Sequence, residues 1–167
     1  MNKDQTQNPS PPLRTQRTIS DSRTEQVHIV LPMDVNANFG LFGGKLMEWI
    51  DIVAAVVARR HCGHQVTTAA VDQLEFLAPA RLNDIVVLRG RMTYAGNTSM
   101  EVCVETYVEE AENWGTSRLV NRAYLTMVAL DYQCKPTVVP LLVGTTEEEA
   151  AELDAAKMRV GERRSGR

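Results

Sequence analysis

Apolar residues recur at Leu46, Trp49, Ile50, Val53, Ala54 and Val57, the i, i+3, i+4, i+7 spacing of a helix with one buried face. The spacing predicts a helix over residues 43–61, about 28 Å long at the standard rise. After it the period shortens to two. Residues 84–94 set Val86, Leu88, Gly90, Met92 and Tyr94 against Ile85, Val87, Arg89, Arg91 and Thr93. Residues 100–109 set Met100, Val102, Val104, Thr106 and Val108 against Glu101, Cys103, Glu105, Tyr107 and Glu109. Further strands are expected at 25–31, 65–77 and 118–131, with turns at Pro79 to Asp84, Ala95-Gly96-Asn97-Thr98 and Glu112-Asn113-Trp114-Gly115. An early helix followed by consecutive strands without helical crossovers makes the class α+β, one long helix wrapped by a curved antiparallel sheet. A single sheet leaves open edges, so association through a strand edge is expected.

The ends read differently. Residues 1–24 are polar and proline-bearing, too poor in apolar groups to repay ordering, and are expected to form a flexible tail. The folded domain is placed at 25–135. Residues 136–167 form an extension, partly helical: Glu147-Glu148-Glu149 at its start and Arg163-Arg164 near its end suit a helix macrodipole after a Thr145-Thr146 cap. Its apolar stripe is thin, so only weak docking is expected.

The 167 residues, 44% of them hydrophobic, fit one domain with an ordinary core. A net charge of -3 argues against nucleic acid as the main partner. No apolar run approaches the ~20 residues that cross a bilayer, and the polar start lacks a signal-peptide core, so a soluble, cytoplasmic protein is expected. Cys62, Cys103 and Cys134 are far apart without a CxxC pair and read as free thiols. His61-Cys62-Gly63-His64 offers too few ligands for structural zinc, and Gly63 fits a helix stop.

Candidate chemistry gathers around the helix. Asp51 is the only ionisable residue between Glu48 and Arg59, on a stripe with Met47, Ala54, Ala55 and Ala58. A carboxylate buried there needs a partner or a task. Gly43 and Gly44 open the helix without side chains, so free backbone N–H groups can approach a carbonyl that becomes an oxyanion. Asn36 can polarise a carbonyl or orient water. Each also has a plain reading: a tight loop entry, an Asx turn, a carboxylate satisfied by backbone amides. Asp51 lies about 10 Å from the helix start, so the three do not meet in one subunit unless the loop folds back or a second chain contributes.

The stretch from Leu31 to about Glu110 and the following strand resembles the hotdog-fold acyl-CoA thioesterases, which include bacterial YciA-type and mammalian brain-type acyl-CoA hydrolases. The matching motifs are Pro32-Met33-Asp34-Val35-Asn36, Phe42-Gly43-Gly44, Trp49-Ile50-Asp51, Arg60-His61-Cys62, Val66-Thr67-Thr68, Phe76-Leu77-Ala78-Pro79 and Gly96-Asn97-Thr98-Ser99-Met100-Glu101-Val102. The resemblance implies thioester hydrolysis with Asn36 and Asp51 acting across a dimer interface. Asp51 would activate water or attack directly. Gly43 and Gly44, with Phe42 beside them, would hold the thioester, and Asn97, Thr98 and Ser99 would lie near coenzyme A, unless they form a plain hairpin. It implies no separate cofactor, coenzyme A being part of the substrate, and a dimer built up to a hexamer as a trimer of dimers. Two positions depart from the family: Phe39 stands where a glycine is usual, with Gly40 one place later, so a different bend of the loop and a narrower acyl pocket are expected, and Asn83 replaces the glycine before Asp84.

Two rival functions are weighed. An (R)-specific enoyl hydratase or a dehydratase needs a histidine in this loop; positions 37–42 hold none, and His28 lies upstream on a strand. A non-catalytic acyl-CoA sensor normally carries a DNA-binding domain, for which the start of the chain is too short and proline-rich.

Overall fold

A computed structural model of the chain describes residues 14–109 and 115–165. Its elements are β1 (Gln16–Thr18), β2 (Thr24–Ile29), α1 (Gly43–Cys62), β3 (Gln65–Phe76), β4 (Ile85–Ala95), β5 (Ser99–Glu109), β6 (Ser117–Leu130), β7 (Leu141–Val143) and α2 (Glu147–Ser165). Five strands form one antiparallel sheet in the order β2-β4-β5-β6-β3. The sheet wraps α1, as the change of period predicts. All six residues of the helical stripe are buried, against Leu88, Met92, Val102, Val104 and Leu125 from the inner face of the sheet. The helix stops at Gly63, which takes a left-handed φ of 72° and donates its N–H to Arg59 O.

Helix and sheet approach most closely at Gly90. A Cβ there would lie 2.6 Å from Val53 Cγ1 and 2.8 Å from Val57 Cγ2, so only glycine fits under the helix. At one end, His28 on β2 stacks on Trp49 with ring centroids 4.1 Å apart, tying an edge strand to α1.

The ends are more ordered than their composition suggests. Residues 14–24, placed in the flexible tail by composition, carry β1 and a 3₁₀ turn, and bury Ile19 and Ser22 completely. β1 pairs in parallel with β7, and Arg14 donates to the carbonyls of Val139 and Gly96. Few apolar groups suffice because the backbone pairs with a strand from the far end of the chain. The first thirteen residues, and the expected turn at 112–114, lie outside the described residues.

The C-terminal helix also corrects the expectation of weak docking. It is helical through Ser165, capped by Thr146 Oγ1, which accepts from Glu149 N at 3.2 Å. It lies on the outer face of the sheet through charge: Glu152 pairs with Arg91 at 2.6 Å, Arg159 pairs with Glu101 at 2.8 Å, and Arg163 bridges Glu101 and Asp72. Glu101 is 1% exposed and also accepts from Thr93 Oγ1 at 2.8 Å. A buried carboxylate with this many donors is satisfied, and losing them would strand its charge.

Replacing Gly90 with alanine should lower stability by about 1–3 kcal/mol through overpacking. Chemical denaturation should show that loss, and Val53→Ala in the same chain should recover part of it by clearing the space.

Candidate active site

The loop before α1 is held by its own polar groups. Asp34, 6% exposed, accepts from Leu31 N through Oδ2 at 3.0 Å, while its carbonyl accepts from Phe42 N at 2.8 Å. This closes the loop at its base. Inside it, Asn36 Oδ1 accepts from the amides of Asn38 at 2.9 Å and Gly40 at 3.3 Å, an Asx turn that leaves its amide NH₂ facing outward. Phe39 itself takes the left-handed conformation at φ 59°, with its ring 69% exposed beside Asn36, Pro79 and Arg81. Asn83 does the same at φ 70° without difficulty.

At the start of α1 no side chain caps the helix. Phe42 O accepts from Lys45 N and Leu46 N, while the N–H groups of Gly43 and Gly44 meet no acceptor among the described residues. A Cβ on Gly44 would lie 2.5 Å from the Phe42 ring, so glycine lets this ring fold over the helix end. Phe42 and Phe76 stay more than half exposed there, an apolar mouth around two free donors.

Asp51 is not in the core. The helix turns it outward and it is exposed, while Ala54 and Ala58, expected to share its stripe, pack inward at 0% exposure. Outward-facing residues of α1 thus include Asp51, Met47 and Ile52. Asp51 has one fixed partner: Thr68 Oγ1, on β3, donates to its Oδ1 at 2.5 Å. The other carboxylate oxygen carries no hydrogen bond among the described residues. Sequence reasoning gave Thr68 no role, although the Val66-Thr67-Thr68 run on the first strand after the helix was its available signal.

Asn36 and Asp51 share neither a hydrogen bond nor a cleft within the chain. Asn97, Thr98 and Ser99 are farther still from the helix start. Ser99 pairs with Val128 and Gln65 with Leu130, which puts the turn where α1 ends, whereas Gly43 lies beside Phe76 at the opposite end of β3. The turn is a tight hairpin, Gly96 N donating to Ser99 O at 2.7 Å.

Other titratable groups offer little to a reaction. Burial holds His28 below its ordinary pKa in its stack on Trp49. Burial pushes the Cys103 thiol up to about 11 and the Cys62 thiol in the same direction, away from thiolate chemistry. His61 Nε2 lies 3.1 Å from Pro140 O, and among the described residues no three His, Cys, Asp or Glu side chains gather as a metal site.

A long helix wrapped by five antiparallel strands is the hotdog fold. Residues 40–113 match the model of the thioesterase superfamily. The chain is 39% identical over 149 residues to an acyl-CoA thioester hydrolase of Bacillus subtilis, covering 89% of this chain and 86% of that one. It belongs to the acyl-CoA thioester hydrolases. Mammalian cytosolic relatives are longer, and the chain spans 39% of their length.

The acyl-CoA hydrolase of Staphylococcus aureus, solved with butyryl coenzyme A and coenzyme A, superposes with a TM-score of 0.85 at 37% identity, covering 90% of this chain and 91% of that one. That enzyme has also been solved as alanine variants of an asparagine, of an aspartate fifteen residues later, and of a threonine seventeen residues beyond the aspartate. A hexameric acyl-CoA thioesterase matches with a TM-score of 0.86 at 36% identity, over 90% of this chain and 96% of that one.

Phe39→Gly should relieve the left-handed strain with little loss of packing, because the ring is exposed. Thermal unfolding should show a gain of about 0.5–1 kcal/mol; a loss of stability would mean that the ring packs against something in the assembled protein.

Proposed function

We propose that the chain hydrolyses acyl-CoA thioesters to a carboxylic acid and coenzyme A, with Asp51 as general base and Thr68 and Asn36 as its working partners. The carrying observation is the Thr68–Asp51 hydrogen bond. Asn36, Asp51 and Thr68 fall fifteen and seventeen residues apart, the residue types and intervals of the three positions varied in the Staphylococcus aureus hydrolase.

In this reading Thr68 fixes Oδ1 and leaves Oδ2 to take the proton of an attacking water. Water oxygen adds to the thioester carbon, and the carbonyl oxygen becomes an oxyanion held by the N–H groups of Gly43 and Gly44. Collapse breaks the C–S bond, and the proton held by Asp51 goes to the departing sulfur of coenzyme A. Asn36 orients the water or the thioester through its free amide. No metal or separate cofactor takes part.

The site is completed by a second copy. Two α1 helices side by side and antiparallel would bring Asp51 of one chain to the glycine amides and Asn36 of its partner, and would carry the hairpin at Asn97, Thr98 and Ser99 toward the same mouth. Supporting this are the outward Met47, Asp51 and Ile52 and the open edge of β3. A trimer of such dimers accords with the hexameric relative. Among the described residues no helix is long and apolar enough to cross a membrane, and the free cysteines suit a reducing cytoplasm.

Mixing the protein with short, medium and long acyl-CoAs and a thiol reagent should show catalytic release of coenzyme A; saturable binding without release would make the chain a sensor instead. Asp51→Asn should cut turnover by about 100-fold or more at unchanged stability. Full activity in that variant would remove Asp51 from the mechanism. Thr68→Ala should lower kcat while leaving KM near its starting value.

A further inference from the structure

β3 is an edge strand that carries catalytic and structural contacts on opposite faces. Toward α1, Thr68 reaches Asp51 and the sulfur of Met127. Toward α2, Asp72 accepts from Thr126 Oγ1 at 2.5 Å and pairs with Arg163. Between and beside these residues the pairing of β3 with β6 slips twice, at Thr68/Ala70 and at Val71/Gln73. Each slip inserts an extra residue into β3 and interrupts its pairing with β6, the one strand β3 pairs with inside the chain. Pairing with β6 alone therefore leaves this stretch less firmly placed than the rest of the strand.

Arg163 supplies what the ladder lacks. Its guanidinium joins Asp72 on the edge strand to Glu101 on β5, two strands inward, and Glu101 is anchored in turn by Arg159 and by Thr93 from β4. Asp72 and Glu101 have side chains 11% and 1% exposed, so this bridge is little screened by solvent. Arg159 is held flat over the Tyr124 ring, 4.3 Å from guanidinium carbon to ring centroid, which fixes the helix that carries both arginines.

We propose that Arg163 is a positioning residue for hydrolysis. From the C-terminal helix it clamps the bulged edge of β3 through Asp72, and so keeps Thr68 at hydrogen-bond distance from Asp51. The inference rests on the catalytic reading above; Arg163 itself touches no reacting atom. A displacement of about 1 Å at a catalytic group can cost up to two orders of magnitude in rate, so a loosened strand shows in kcat before it shows in substrate binding.

The test compares wild-type protein with Arg163→Gln, Arg163→Lys, Thr68→Ala and the double variant Arg163→Gln/Thr68→Ala, by steady-state thioester hydrolysis and by amide hydrogen exchange along β3. Arg163→Gln should lower kcat about tenfold with KM within twofold, and should speed exchange between Thr68 and Gln73. Arg163→Lys, which keeps the charge, should recover part of both. In the Thr68→Ala background, Arg163→Gln should cost no further kcat, since it acts through that hydroxyl. Wild-type kcat in Arg163→Gln, losses that multiply in the double variant, or unchanged exchange on β3 would each overturn the clamp. An inactive wild-type protein would defeat the catalytic reading alone, and the exchange data would still decide whether Arg163 holds the strand.

Discussion

A single hydrogen bond, from Thr68 to Asp51, is the contact on which the proposed mechanism makes the rest of the structure depend. It spans two elements that do not otherwise need fixed positions: the outward side of α1 and the edge of the sheet. Holding them at 2.5 Å requires that the helix sit at a set height above the sheet, which Gly90 permits under Val53 and Val57. It also requires that the open edge keep its register through two bulges. The apolar core secures the first condition and the ionic layer beneath α2 secures the second. Close packing fixes the height of the helix, and ion pairs largely shielded from solvent fix the position of the edge.

The same logic explains why the carboxylate proposed as the base lies at the surface of a single chain. A charge buried within the subunit would cost several kcal/mol before any substrate arrived. Placed on the outer side of α1, Asp51 is exposed in the single chain, and in the proposed dimer it loses water only when a second copy covers it. The free amides of Gly43 and Gly44 follow the same plan, exposed at a helix start and flanked by the rings of Phe42 and Phe76. In the proposed arrangement folding and assembly divide the desolvation between them, and the active centre belongs to the assembly.

Much of the fold was legible in the sequence because its signal is periodicity. The stripe Leu46, Trp49, Ile50, Val53, Ala54, Val57 and the alternation of β5 each express one buried face, and Gly63 ends the helix where its position suggests. Asn36, Asp51 and the paired glycines stood out by residue type. The direction of Asp51 did not: its helical position is compatible with either side of a helix whose small alanines blur the boundary, and Ala54 and Ala58 proved to face inward. Thr68 was illegible for another reason. The Val66-Thr67-Thr68 run marks a match of sequence, but the role of a threonine in a strand shows only once the fold sets it opposite a carboxylate. The ordering of residues 14–24 and of α2 came from backbone pairing with β7 and from arginine–carboxylate bridges, neither of which a count of apolar residues registers.

The claim that the site lies between two copies is tested most directly by mixing two variants, Asp51→Asn and Asn36→Ala, each inactive by itself. After exchange of subunits, hybrid dimers carry one intact and one doubly impaired site, and hydrolysis should recover to roughly a quarter of the wild-type rate. No recovery, with subunit exchange confirmed by mass spectrometry of the mixed dimers, would contradict the shared site.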